Sequence, residues 1–216
     1  MPVLRRRSSG YPVAADRAAR RVGSDARRLY SLHMTEPAVQ RMSLAAFLEW
    51  DDGTDTRYEL IDGRPLAMAP PLEAHGTIVA NLAAAIRPRL TQPCRVVVEA
   101  GITPPDRADT WYQADLVVTC ARAERGARAI SEPRLIVEVL SSSTAAHDRG
   151  LKLADHRKIA SVEQILLVAS EDRHVEVWLR AEDGWKVQDL IGDAAVRLAI
   201  DGQPLALAAI YDGVAL

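Results

Sequence analysis

The chain has little lysine, little cysteine and no long apolar run. Lys152, Lys158 and Lys186 are its only lysines among 216 residues; arginine carries the rest of the positive charge. No apolar stretch approaches the ~20 residues that cross a bilayer, which excludes a membrane-spanning helix. The start, Met1 to Gly10, is basic but lacks the apolar centre of a secretory signal. Cys94 and Cys120 show neither zinc-like nor pairing spacing, so two buried thiols in a reducing, cytoplasmic compartment are expected. A phosphate loop, a dinucleotide fingerprint and a Cys/His cluster are all missing. Ser141-Ser142-Ser143-Thr144 has no His/Asp set at recognisable spacing, so the run reads as a helix cap and not as a nucleophile.

What is present is an ordinary globular composition, 48% hydrophobic and 26% charged, in a length that suits one domain plus an extension. Its charge is uneven. Eight arginines against Asp16 and Asp25 give residues 1–30 a net +6, and with −2 overall the remainder carries −8. An acidic domain argues against tight binding through a broad basic face, yet carboxylates gathered around a metal would also make it acidic. Residues 1–40 show no sustained apolar period. They are expected to form a disordered Arg-rich arm, or to precede a true start at Met34 or Met42. The arm's arginines either touch phosphate or are simply solvated.

Periodicity then predicts the elements. Ser43 before Leu44, Phe47 and Leu48 predicts a capped short helix. Residues 57–68 alternate around Asp62-Gly63, which predicts a hairpin. Ile78, Val79, Leu82, Ile86 and Leu90 recur at helical spacing over 73–90. Strands are expected at 95–99, 114–119 and 135–140, the last apolar enough to be buried on both faces. A helix over 145–160, with Leu151, Leu153 and Ile159 as apolar surface, should lead to a buried strand at 164–169. A second hairpin turns at Asp183-Gly184, and 205–210 closes the chain. The class is α/β with a central mixed sheet flanked by helices, with N-terminal and C-terminal β-hairpins.

Buried strands are where an unpaired carboxylate costs most. Asp115 opens Asp-Leu-Val-Val, and Glu138 sits inside Leu-Ile-Val-Glu-Val-Leu. Alone, Asp115 could be a strand-end cap and Glu138 a buried ion pair, for instance with Arg134 on the same face. Together, two carboxylates on neighbouring strands suit one hard divalent cation. Glu59 shares a strand face with Ile61, and is either turned inward or an exposed edge acid. Asp148, Lys152 and His156 lie at i, i+4 and i+8, one polar stripe on the crossover helix. The stripe is either a solvated face or a set in which Lys152 steadies charge beside a metal-held water. His75 at a helix start is either a local hydrogen-bonding partner or a ligand, and Glu99 is a candidate outer acid.

At these residues the sequence resembles the Uma-two restriction endonuclease family of the PD-(D/E)XK nuclease superfamily. The likeness runs from about Ser43 to Leu216. It rests on Arg57-Tyr-Glu-Leu-Ile-Asp-Gly63, His75-Gly76 with Ile78-Val-Ala-Asn-Leu82, Ala114-Asp-Leu-Val-Val118, Pro133-Arg-Leu-Ile-Val-Glu-Val-Leu-Ser-Ser-Ser-Thr144, and Asp148 with Lys152-Leu153. The resemblance implies a single restriction-endonuclease-like domain over 41–216 and a Mg²⁺- or Mn²⁺-dependent phosphodiesterase acting on nucleic acid, DNA before RNA. Asp115 and Glu138 would be the metal carboxylates, with Glu59 and Lys152 completing the catalytic set and His75, Glu99, Asp148 and His156 supporting it. A homodimer is also implied, since superfamily enzymes commonly pair to cut two strands. The superfamily lysine normally lies two residues after the glutamate; here that position is Leu140, and Lys152 on the next helix takes its place. Ala114, His156, Arg64 and Ser170 depart from the family pattern. The rival expectations are a catalytically silent nuclease-fold binding or regulatory module, and a purely structural protein.

Overall fold

Ser43 is extended, and its hydroxyl accepts the Ala46 N–H at 3.2 Å, which starts helix α1 (Leu44–Glu49) where the spacing predicts it. In this computed structural model the described residues are 41–141 and 145–216, so the expected arm at 1–40 and the Ser142–Thr144 part of the expected cap lie outside them. Asp62 and Gly63 both have positive φ, 50° and 72°, and join β1 (Tyr58–Ile61) to β2 (Arg64–Ala67) as a two-residue hairpin. Helix α2 covers Glu73–Ile86 and gives way to a 3₁₀ turn at Arg87–Arg89, short of the predicted Leu90. Pro88 has no N–H for a further α-helical bond.

The main sheet is six-stranded, ordered β3-β4-β5-β6-β7-β8. Its strands are β3 (Arg95–Ile102), β4 (Tyr112–Thr119), β5 (Pro133–Leu140), β6 (Gln164–Ala169), β7 (His174–Ala181) and β8 (Gly184–Ile191). Only β5 and β6 run parallel, which makes the sheet mixed, as expected. The expected hairpin beside Asp183-Gly184 is present and supplies the last two strands of this sheet. A small hairpin unforeseen in the sequence, β9 (Ala195–Arg197) with β10 (Pro204–Ala206), leads into the closing helix α5 (Leu207–Ile210).

Both faces are covered over β4, β5 and β6. Ile78, Leu82 and Ile86 of α2 pack with Leu116, Val118, Leu135 and Val137 on one face. Leu153 and Val162 pack with Val117, Ile136, Ile165 and Leu167 on the other. This is why the β5 run is almost wholly apolar, and why Glu138 within it stands out. Among the described residues no helix is long and apolar enough to cross a membrane.

Two expectations need correcting. The single helix over 145–160 is instead α3 (Ala145–His147), a π turn at Asp148–Lys152 and α4 (Leu153–Lys158), with Gly150 non-helical at ψ −107°. The wide turn rotates the faces, so Leu151, expected to pack, is 40% exposed while Asp148 and Lys152 are buried. Cys94 and Cys120 are not free thiols but bonded to each other. They flank the Arg95–Thr119 pair and so oppose one another across β3 and β4, and they no longer argue for a reducing compartment.

Gly101 marks a close approach. A Cβ there would stand 2.0 Å from the Arg128 carbonyl oxygen and 2.6 Å from Trp111 Nε1, whereas one on Gly76 in α2 meets nothing within 4 Å. Gly101→Ala should therefore destabilise the fold by ~1–3 kcal/mol through overpacking. Gly76→Ala should stabilise it by up to ~1 kcal/mol through helix propensity. Thermal denaturation of the pair checks the contrast, and equal melting temperatures would contradict it.

Candidate active site

The hairpin, β4, β5 and the π turn bring their polar residues together. Glu59 on β1 is 4% exposed, so it is an inward acid and not an edge acid. Its Oε1 accepts the Gln113 N–H at 2.8 Å and Lys152 Nζ at 2.9 Å, and Oε2 stands 3.6 Å from His147 Nε2. Burial works against its ionisation. His147, the Lys152 ammonium and the Gln113 amide outweigh that, and hold the carboxyl at about 2.

Glu138 is 2% exposed, with Oε2 3.1 Å from Lys152 Nζ and Oε1 2.8 Å from His156 Nε2. Its partner is thus Lys152 and not Arg134, which pairs with Glu163 instead. Burial pushes the Glu138 pKa well above the ordinary carboxylate value. Lys152 opposes the rise, while the charges of Asp115, Asp148 and Glu59 add to it. Burial and the Lys152 charge push His156 down to about 3. The ring is therefore neutral, and its Nε2 shares a hydrogen bond with Glu138 Oε1.

Lys152, 3% exposed, is the hub. Besides Glu59 and Glu138 it donates to the Gln113 carbonyl at 3.2 Å and lies 3.7 Å from Asp148. Burial alone would lower its pKa, but Glu138, Glu59, Asp148 and Asp115 raise it. The stripe at 148, 152 and 156 is consequently a buried one and not a solvated face.

Asp115 lies one strand over. The β4–β5 ladder reads Leu116↔Val137, so Asp115 falls opposite Glu138 in register. There the strands part: the Val139 N–H is donated to Asp115 Oδ2 at 2.6 Å. Asp115 Oδ1 is 3.1 Å from His75 Nε2, so His75 joins the cluster's edge through α2. The same position is a crossover in the sheet. Val96, Leu116 and Val118 pack in the α2 layer, whereas Ala100, Ile102, Tyr112 and Ala114 pack in the α4 layer. The residue opposite Asp115 on β3 is Glu99, at φ 50°. Glu99 is not brought in; it pairs with Arg57 at the surface.

Sequence reasoning missed several groups. Gln113 acts through its backbone and His147 through a ring beside Glu59. Asp155, fully buried, accepts from Tyr112 Oη at 2.7 Å, Arg107 at 2.8 Å and Lys158 at 2.9 Å. Arg107 also pairs with Asp62 of the β1–β2 turn, so this brace ties the hairpin carrying Glu59 to α4, which follows directly on Lys152. The Tyr112 ring lies 5.9 Å from Lys152 Nζ and edge-on to His156 at 5.7 Å.

Residues 44–207 match the profile of the Uma2 family, described as "Putative restriction endonuclease". The chain belongs to the Uma2 family. This Uma2 chain is 26% identical over 186 residues to the uncharacterized protein slr1290 of Synechocystis, covering 85% of this chain and 98% of that one. It is 22% identical over 167 residues to sll1609 of the same organism, covering 75% of this chain and 94% of the relative. In structure it resembles a crystal structure from Anabaena variabilis, titled a "putative nuclease belonging to DUF820", with a TM-score of 0.60 at 20% identity, covering 79% of this chain and 97% of that one. The Uma2 chain thus has the restriction-endonuclease-like fold expected of it.

Asp115 and Glu138 are the carboxylates of this set that could hold a divalent cation. Four carboxylates, Glu59, Asp115, Glu138 and Asp148, surround one lysine, and the excess negative potential is what helps lift Glu138. Among the described residues no three His, Cys, Asp or Glu groups form a ready-made cage. Mg²⁺ needs none, being usually held by one or two carboxylates with several waters.

Proposed function

We propose that the protein is a Mg²⁺- or Mn²⁺-dependent nuclease hydrolysing phosphodiester bonds, with DNA as its substrate before RNA. The observation that supports this most is Lys152 gripping Glu59 and Glu138 where the β4–β5 ladder opens at Asp115. Asp115 and Glu138 are the residues that would hold the cation. When bound, such an ion lowers the pKa of a coordinated water and polarises the phosphate. Lys152, a fixed ammonium, faces the charge that builds on the phosphate and stabilises it. Glu59 and the Gln113 carbonyl keep that ammonium in place, and neutral His156 fixes one oxygen of Glu138.

A second reading, a silent nuclease-fold module, draws on the burial of Glu138 and on both of its oxygens being engaged. Plasmid nicking with Mg²⁺ or Mn²⁺, alongside calorimetric Mn²⁺ titration, separates the two. The nuclease reading expects saturable Mn²⁺ binding and nicking abolished by chelator. A folded protein with neither property is the silent module.

A further inference from the structure

The loop from β4 to β5 departs from the charge of its domain. Residues 31–216 carry −8, yet residues 121–131 hold Arg122, Arg125 and Arg128 against Glu124 alone, a net +2. All three arginines are exposed, and among the described residues none of their guanidiniums has a hydrogen-bond or ion-pair partner. Arg57, Arg107 and Arg134 are engaged, with Glu99, Asp155 and Glu163, whereas Arg64, Arg87 and Arg173 are exposed without such a partner among the described residues but are scattered over separate parts of the chain.

The loop is also held where a substrate would pass. Its backbone is pinned to the site end of the sheet, with the Ile130 N–H donated to the Gly101 carbonyl and Trp111 Nε1–H donated to the Arg128 carbonyl at 3.0 Å. Trp111 in turn exchanges both backbone hydrogen bonds with Leu60, the neighbour of Glu59. Between loop and β3 lies a concavity of about 510 Å³ that includes Glu99, Gly101, Trp111 and Arg128. Glu99 is the residue opposite Asp115, and its charge is taken by Arg57. Arg128 lines this concavity together with Glu99, and Arg122 and Arg125 are exposed on the same loop.

We propose that Arg122, Arg125 and Arg128 form the phosphate-contacting surface that seats a nucleic-acid strand along this groove and feeds it to Asp115 and Glu138. The proposal rests on the nuclease reading for its partner but not for its geometry. Six residues span at most about 21 Å, so the three guanidiniums stand within reach of a few successive phosphates on one strand. Contacts of this kind position the backbone and carry no sequence information. They also allow an acidic domain to bind its substrate locally, without the broad basic face that tight binders display.

The test is fluorescence anisotropy of labelled single-stranded and duplex DNA with the full chain in EDTA, so that nothing is cut. Changing all three arginines to serine should weaken binding at low salt by at least ~10-fold. It should flatten the log K against log [salt] slope by about 2–3, since each lost phosphate contact removes ~0.7–0.9. The melting temperature and Mn²⁺ binding should not move, because among the described residues the three guanidiniums make no hydrogen bond or ion pair and the Arg128 carbonyl remains. If the triple variant does not fold, Arg125→Glu alone gives the same slope reading on a smaller scale. An unchanged slope in a wild type that binds DNA overturns the loop assignment and leaves the nuclease reading standing. No nucleic-acid binding by the wild type overturns both. Polyglutamate held through the same three arginines as tightly as DNA would make the loop a surface for an acidic protein, and overturns the proposal as well.

Discussion

Asp115→Asn and Glu138→Gln should each lower metal-supported cleavage at least ~10²-fold, the loss usual when one electrostatic stabiliser is removed, while the protein stays folded. The amides are chosen for their shape. An Asn oxygen at 115 can still accept the Val139 N–H, so the gap between β4 and β5 persists and only the charge offered to a cation is gone. A Gln at 138 keeps the shape and one acceptor oxygen, which can serve Lys152 while its NH2 faces the His156 ring. Calorimetry should show Mn²⁺ affinity falling in parallel. Glu99→Gln is the internal contrast for the metal: that residue faces Arg57 at the surface, so its change should leave Mn²⁺ affinity within about twofold. If Asp115→Asn cuts as fast as wild type, Asp115 holds no essential cation. If Glu99→Gln lowers Mn²⁺ affinity as much as the other two, the acids have been sorted wrongly.

How far these residues could be read in advance depended on what kind of signal each one left. Glu138 was legible because a carboxylate in an apolar strand is costly without a partner, and Asp115 because it opens the neighbouring strand. Lys152 was legible through scarcity and i, i+4 spacing. The hairpins were legible because Asp-Gly marks tight turns: Asp62 and Gly63 both have positive φ, and Gly184, at φ 132°, follows the Glu182-Asp183 turn. The π turn was not. The apolar spacing fits an unbroken helix, and only the backbone at Gly150 shows the extra residue that turns Leu151 outward. Gln113 left no signal because it contributes a carbonyl and an amide common to every residue. Asp155 sits in Asp-His-Arg-Lys and looks like solvent-facing helix; its burial depends on Tyr112 and Arg107, more than 40 residues away in sequence. His147 did carry a hint, one of five histidines directly before Asp148. Glu99, expected as an outer acid at a strand end, misled because the strand continues to Ile102 and the residue, at φ 50°, pairs with Arg57 at the surface. The cysteine pair was hidden for a related reason: the register that opposes them is set across the long 103–111 connection, whose geometry no local pattern fixes.

Lys152→Met should be the most destabilising single substitution in the site, costing about 3–5 kcal/mol at neutral pH, the range for removing one partner of a buried ion pair. In a domain of this size that corresponds to a fall in Tm of roughly 6–20 °C. The cause is specific. Methionine fills the space but leaves Glu59 and Glu138, both under 5% exposed, with Asp148 beside them and no ammonium among them. The pH dependence follows from the signs. In the wild type Glu59 titrates at about 2, below its ordinary 4.5, so its contribution is present above pH 4.5 and is lost as pH falls toward 2. Glu138 is raised, so it favours the fold when protonated and costs stability as pH rises through its folded value. Without Lys152 both carboxyls move upward, and the variant regains stability as they protonate. The Tm difference between variant and wild type should therefore be largest near pH 8 and shrink toward pH 5. Adding Glu59→Gln to Lys152→Met should recover part of the loss, a coupling that a double-mutant cycle measures directly. A Tm gap that stays constant across this pH range, or a cycle without coupling, would mean that Lys152 is not the counterion on which the acids depend.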